Sequence, residues 1–187
     1  MGVGHLIIVD GDTYEENNLN RQAGCLEATI GQPKAAVVGR RVTKVNAATE
    51  VTIHSVWLEP GNGHGLLTGS QVVVDALDSL PVRFTLQQIA RDLRVPMVHG
   101  AIAGYTGQVT IIYPDDPGLA SIYGPGPYPQ HGIETLLGNP TATPMMTAAW
   151  QIQQVVKYLT GNEQGLLRNR LLLMDAQAGD AVILQLG

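Results

Sequence analysis

A single cysteine, Cys25, stands in 187 residues, which excludes an internal disulfide and any cysteine-based zinc site within the chain. Charge is scarce as well. Asp, Glu, Lys and Arg make up 14% of the residues and leave a net charge of -5, so there is no basic footprint for nucleic acid. No uninterrupted apolar run reaches the ~18 residues that suggest a membrane span, and no basic, apolar and small-residue leader opens the sequence. No G-x-G-x-x-G phosphate turn occurs anywhere. These absences lead to the expectation of a soluble, cytoplasmic protein that is not exported. The apolar fraction of 44% is that of a globular chain, and the length suffices for one domain with a substantial core, so a single domain over 1–187 is expected.

What is present alternates in type. His5 to Val9 is a short run rich in β-branched residues and reads as a buried strand of a parallel sheet. Gln32-Pro33-Lys34 opens a helix with proline in its first turn, and Ala35, Val37, Val38, Val42 and Val45 form its apolar face up to Asn46. Glu50 to Trp57 alternates like a strand near an edge, and Pro60 to Gly65 reads as loop. Gln71 to Asp75 predicts a fully buried strand that Asp78 carries to its carboxyl end. Pro81 to Arg94 follows as a helix with Val82, Leu86, Ile89, Ala90 and Leu93 on one side, then Val95 to His99 as a strand.

After Gly100 no helix-length segment separates Ala101–Gly107 from Gln108–Tyr113, which predicts an antiparallel pair or one bent strand. Residues 114–144 lose both periodicities and read as a crossover or lid loop. Met145 to Leu159 is a helix with Met146, Ala149, Ile152, Gln153, Val156 and Leu159 along it, ended by Gly161. Leu171–Met174 and Ala181–Leu184 form a terminal hairpin. The fold class is therefore α/β, a mixed sheet that is parallel in its first half and antiparallel in its C-terminal strands.

The stretch from Asp10 to Gln22, D-G-D-T-Y-E-E-N-N-L-N-R-Q, concentrates the chemistry. Ligands of open α/β sheets bind at the carboxyl ends of strands, where Asp10 stands. A strand-end acid can accept hydrogen bonds from ribose hydroxyls, and Arg21 can bind phosphate oxygens through its planar fork. Each residue also has a plain reading. Asp10 and Asp78 can be solvated loop acids, Arg21 a clamp on nearby carbonyls, Lys34 a lysine in water. Cys25 reads as a small buried residue. His5, His54, His64, His99 and His131 lack metal-ligand spacing and read as surface or core histidines.

This stretch, followed by Ile30-Gly-Gln-Pro-Lys34 and by Val74-Asp-Ala-Leu-Asp-Ser79 with Arg83, resembles the ThiF/MoeB/HesA family, which includes the nucleotide-binding domains of ubiquitin-activating enzymes. The resemblance covers nearly the whole chain. It implies a Rossmann-like fold whose N-terminal unit, a strand, glycine-rich turn and helix, is missing here, with Gly2-Val-Gly4 matching the end of that helix. The sequence leaves open whether such a unit lies upstream or the protein manages without it.

The activity implied is adenylation by ATP and Mg²⁺ of the C-terminal glycine carboxylate of a ubiquitin-like or sulfur-carrier protein, as in thiamine or molybdopterin synthesis. Asp10 would hold the ribose, and Asn18, Arg21 and Lys34 would contact the phosphates. Asp78 would sit by the magnesium and the reacting phosphate. Asp12 would orient Arg21, and Gln22 would hold the loop. No zinc is expected, since the paired cysteines of many relatives are absent. Relatives are commonly homodimers, and Met145, Met146, Trp150 and Ile152 are candidates for such an interface. The competing reading is a catalytically silent family member or fragment that serves as a dimerisation or binding partner.

Overall fold

The computed structural model describes residues 2–128, 138 and 140–186. The chain divides into two compact units, Met1–Thr68 and Gly69–Gly187.

In the first unit β1 (His5–Val9) lies parallel to β2 (Glu50–His54), from His5 opposite Glu50 to Val9 opposite His54. A parallel pair needs a crossover, and α1 (Lys34–Val45) supplies it, burying Ala35, Val37 and Gly39. Val45, expected on the apolar face, closes the last turn and is 79% exposed. Likewise β1, expected to be buried, is only half-buried, because among the described residues β2 is its sole neighbour in the sheet. Residues 60–65 are not all loop, since α2 (Gly63–Leu67) begins inside them. Asn62 closes the turn before α2, accepting the Glu59 N–H at 2.9 Å and donating to the Trp57 carbonyl at 2.9 Å. The glycines disfavour helix, but that closed turn and the burial of Leu67 outweigh them.

The second unit is a five-stranded sheet in the order β3-β4-β5-β6-β7. Here β3 is Val73–Val74, β4 Met97–Ala103, β5 Thr106–Ile112, β6 Arg170–Asp175 and β7 Asp180–Gln185. β3 and β4 are parallel across α3 (Leu80–Asp92), and every later pair is antiparallel. The mixed α/β class expected from the element order is the one observed. The antiparallel pair expected after Gly100 is the β4–β5 hairpin, whose first strand begins earlier, at Met97, and pairs from Met97 opposite Ile112 to Ala103 opposite Thr106. β3 is shorter than expected and, as an edge strand of this sheet, leaves Val74 45% exposed. Within 114–144 a short helix, α4 (Ala120–Tyr123), forms, and α5 (Ala142–Leu159) starts before the segment ends. His131 and the rest of the expected loop over 129–137 and at 139 lie outside the described residues.

The largest departure is the face that α5 buries. Its inward residues are Thr143, Thr147, Gln151 and Gln154, whereas Met145, Ile152 and Leu159 are exposed. The glutamines fill backbone needs. Gln151 Nε2 donates to the Asp75 carbonyl at 2.7 Å, and Gln154 Oε1 accepts the Leu167 N–H at 2.8 Å. Leaving those groups unpaired in the interior would cost about 1–3 kcal/mol each. Gly100 makes room for Gln151, because a Cβ there would lie 2.4 Å from Gln151 Cδ. Apolar packing is completed by Val98, Ile111 and Leu166, and by Val109, Leu167, Leu172 and Met174. Among the described residues no helix is long and apolar enough to cross a membrane.

Candidate functional site

In the first unit the chain leaves β1 and doubles back. The Asp10 N–H reaches the His54 carbonyl at 3.1 Å, and Asp10 Oδ1 accepts the Asp12 N–H at 2.9 Å. That local bond bends the backbone out of the strand. Thr13 then bridges Pro33, and the Lys34 N–H reaches the Asp12 carbonyl at 2.9 Å. Residue 34 is thereby set opposite residue 12, and Lys34 Nζ meets Asp12 Oδ2 at 2.5 Å, 6.0 Å from the centre of the Tyr14 ring. Asp12 was expected to orient Arg21. It holds Lys34 instead, because the backbone pairing brings the first residue of α1 to it. A carboxylate here also offsets the unfavourable placement of a cation at a helix N-terminus.

Burial pushes the Asp12 carboxyl up. The Lys34 hydrogen bond, the Thr13 N–H and the Lys34 charge outweigh it and hold the group below its ordinary 3.8. The pair is therefore complete above the ordinary carboxylate value and is lost as pH falls through the lower folded one. An NMR titration of the Asp12 carboxyl is expected to give a midpoint below 3.8.

Arg21 and Asn18 form a second group. Arg21 Nη1 donates to the Asn17 carbonyl at 2.7 Å and to Asn20 Oδ1 at 2.9 Å, the clamp that its plain reading describes. Asn18, expected on the phosphates, is 5% exposed and closes its own turn. Its Oδ1 accepts the Glu15 N–H at 3.1 Å, and its Nδ2 donates to Asn17 Oδ1 at 2.6 Å. Gln22 holds the loop through its backbone, from its N–H to the Asn18 carbonyl and from its carbonyl to the Cys25 N–H. Cys25 is buried against Tyr14 and Val37 and donates to the Glu15 carbonyl at 3.4 Å, an interior residue as expected.

Asp78 belongs to the second unit. It is exposed, and its carboxylate makes no hydrogen bond or ion pair with the described residues. Magnesium is commonly held by one or two carboxylates together with substrate phosphates, and a single free carboxylate fits that use. Among the described residues no group of three or more His, Cys, Asp or Glu could hold a metal by protein ligands alone.

Composition and spacing gave no hint of what lies next to Asp78. Asp75 and His99 are both fully buried, and His99 Nδ1 lies 2.6 Å from Asp75 Oδ2. Arg83 Nε is 3.4 Å from the same oxygen, and Asp75 Oδ1 accepts the Leu77 N–H at 2.9 Å. Arg83 also donates to the Leu77 carbonyl through Nε at 3.0 Å and through Nη2. The loop leading to Asp78 is thus gripped at both polar groups of Leu77. On the far side of the ring, His99 Nε2 is 3.1 Å from the Tyr123 hydroxyl, which accepts from Gln108 Nε2 at 2.6 Å.

Burial pushes the Tyr123 phenol up. The Arg83 charge opposes this, the Asp75 charge adds to it, and hydrogen bonds with Arg83 and Gln108 oppose it, with a net rise. The Tyr123 hydroxyl and Gln108 Nε2, at 3.1 and 3.2 Å, both face Nε2 of the ring, while Asp75 faces Nδ1. Register was the missing signal. Val74 pairs with Val98, so the next residues, Asp75 and His99, are neighbours across the strands.

Most of the chain aligns with known proteins. It is 34% identical over 180 residues to the SAMP-activating enzyme E1 of Haloferax volcanii, across 94% of this chain and 65% of that protein. It is 33% identical over 177 residues to the adenylyltransferase and sulfurtransferase MOCS3-2 of Zea mays, across 94% of this chain and 36% of that protein. It therefore spans less than two thirds of the length of either relative. A crystal structure of E. coli MccB with ATP shares the fold, with a TM-score of 0.79 over 96% of this chain and 56% of that one, at 16% identity. The ThiF family model matches residues 1–185, and the chain belongs to the ThiF family.

Proposed function

We propose that this chain adenylates the C-terminal glycine carboxylate of a small ubiquitin-like or sulfur-carrier protein with ATP and Mg²⁺. A carboxylate oxygen bonds to the α-phosphorus, the bond from that phosphorus to the bridging oxygen breaks, and pyrophosphate leaves. Such a step needs charge held in place more than covalent help. Lys34 serves the phosphates, already fixed at a strand end by Asp12, and Arg21 serves them from the adjoining loop. Asp10 takes the ribose hydroxyls through the oxygen not used by Asp12. Asp78 stands by the metal and the α-phosphate, and Asn18 and Gln22 shape the loop. Magnesium, when bound, neutralises phosphate charge.

The observation that carries this reading is the backbone pairing that pins Lys34 beside Asp12, in a chain whose ThiF match runs over 1–185. The relatives' names as adenylyltransferase and activating enzyme support it. We place the protein in the cytoplasm. A second copy of the chain is the partner that the exposed α5 residues Met145, Ile152 and Leu159 suit. The test is ATP–pyrophosphate exchange with candidate carrier proteins. Carrier-dependent exchange that Arg21→Ala abolishes supports the proposal, and no exchange with any carrier favours the silent binding partner.

A further inference from the structure

The stretch that begins at Asp116 runs along α3 and is tied to it at successive turns. Arg91 Nη2 donates to the Asp116 carbonyl at 2.5 Å and to the Pro117 carbonyl at 3.0 Å. One turn earlier on α3, Gln87 Oε1 accepts the Leu119 N–H at 2.7 Å. Gly118 sits at a φ of +75°, and a Cβ there would strike Gln87 Oε1 at 2.2 Å, so only glycine fits. A further turn back, the Phe84 and Tyr128 rings stack with centroids 4.3 Å apart and planes 13° apart.

The contacts thus descend α3 from residue 91 to residue 84, about 10 Å at 1.5 Å per residue, toward the helix end that follows Asp78 and Ser79. Between the last two ties, Tyr123 leaves α4 and reaches into the sheet. There its hydroxyl meets His99 Nε2 at 3.1 Å and Gln108 Nε2 at 2.6 Å. From His99 the hydrogen bonds continue to Asp75 and from Asp75 to the Leu77 N–H.

We propose that Tyr123 is a positioning residue that couples residues 119–128 to the loop bearing Asp78, by way of His99 and Asp75. The chain of four groups is continuous, and its middle two are fully buried. The Asp75 carboxyl and the His99 ring sit with each polar atom against a partner, which leaves few alternative arrangements. The phenol is one of two groups that hold Nε2, the other being Gln108 Nε2 at 3.2 Å. Without the hydroxyl Nε2 keeps only Gln108 Nε2, at 3.2 Å, Arg83 loses its bond to the phenol, and residues 119–128 lose their polar tie to the sheet. The Asp78 carboxylate makes no hydrogen bond or ion pair with these groups, so Tyr123 acts on it only through the loop. The consequence for catalysis rests on the adenylation reading, whereas the coupling between the two segments does not.

The experiment compares wild type with Tyr123→Phe, which keeps the ring, and with Tyr113→Phe, whose ring packs against Tyr158 and Arg168. Amide hydrogen exchange is followed over 76–79 and 119–124. The expected result for Tyr123→Phe is a rise of about tenfold in both segments together, with β4 and β5 unchanged. That factor corresponds to the loss of one hydrogen bond. In pyrophosphate exchange kcat is expected to fall by about tenfold while KM for ATP stays put, a split that general destabilisation would not produce. Tyr113→Phe is expected to behave as wild type in all of these.

Wild-type exchange at 76–79 in Tyr123→Phe overturns the coupling, whatever happens at 119–124. If wild type shows no pyrophosphate exchange with any carrier, the adenylation reading fails, and the amide data alone decide the coupling. A normal kcat beside loosened segments overturns the role in positioning Asp78.

Discussion

Replacing Asp75 with alanine is expected to destabilise the protein by about 3–5 kcal/mol, the range for removing one partner of a buried ion pair. The side chain is fully buried and holds three groups at once, the Leu77 N–H at 2.9 Å, His99 Nδ1 at 2.6 Å and Arg83 Nε at 3.4 Å. Alanine strands them all, and Arg83 is left as a buried cation facing only the Leu77 carbonyl and the Tyr123 phenol. Asp75→Asn separates the contributions. Its carbonyl oxygen still accepts from Leu77, and its amide can donate to Nδ1 if the ring proton moves to Nε2, so only the charge opposite Arg83 is lost. The asparagine variant is expected to fall between wild type and alanine. Urea denaturation monitored by circular dichroism checks the order, and an alanine variant within about 1 kcal/mol of wild type would show that the cluster contributes little.

Removing the Lys34 ammonium is expected to lower kcat for pyrophosphate exchange by about 10²- to 10³-fold, the range seen when one group that stabilises transition-state charge is lost. Two effects act in the same direction. The phosphates lose a cation, and Asp12 loses the partner that lies 2.5 Å away, so an uncompensated negative charge now stands where the phosphates are proposed to lie. The double variant Lys34→Ala with Asp12→Asn removes that second effect and is expected to recover part of the loss. Folding should change little. The side chains are 12% exposed at Lys34 and 40% at Asp12, so water reaches the carboxylate and the pair contributes on the order of 1 kcal/mol. Steady-state kinetics beside a thermal melt separates the two quantities. A Lys34→Ala protein with exchange within about threefold of wild type would remove this lysine from the site.

Elements marked by apolar runs or strong helical periodicity were legible in the sequence, because burial of one face dictates their residue pattern. β1, α1, α3 and the two C-terminal hairpins are of this kind. α5 was legible as a helix but not in its orientation. Periodicity weighs apolar character, whereas the buried positions of α5 are Thr143, Thr147, Gln151 and Gln154, with Met146, Val155 and Tyr158 partly buried beside them. Gln151 and Gln154 go inward because backbone groups at Asp75, Val98 and Leu167 require partners. Such a need arises from tertiary pairing and leaves no trace in local sequence.

The same limit applied to the site. The residue types around Asp10 could be read, but whether Asp12 would serve Arg21 or Lys34 depended on how the loop doubled back. The closeness of Asp75 to His99 was invisible without the β3–β4 register, and His99 consequently read as one scattered histidine among five.

The most direct test of the central claim is a crystal structure of this chain with a non-hydrolysable ATP analogue and magnesium. The account predicts the ribose hydroxyls on Asp10, phosphate oxygens on Lys34 and Arg21, and the metal within reach of Asp78. A nucleotide bound elsewhere, or one that leaves Lys34 on Asp12 and Asp78 far from the metal, would contradict it.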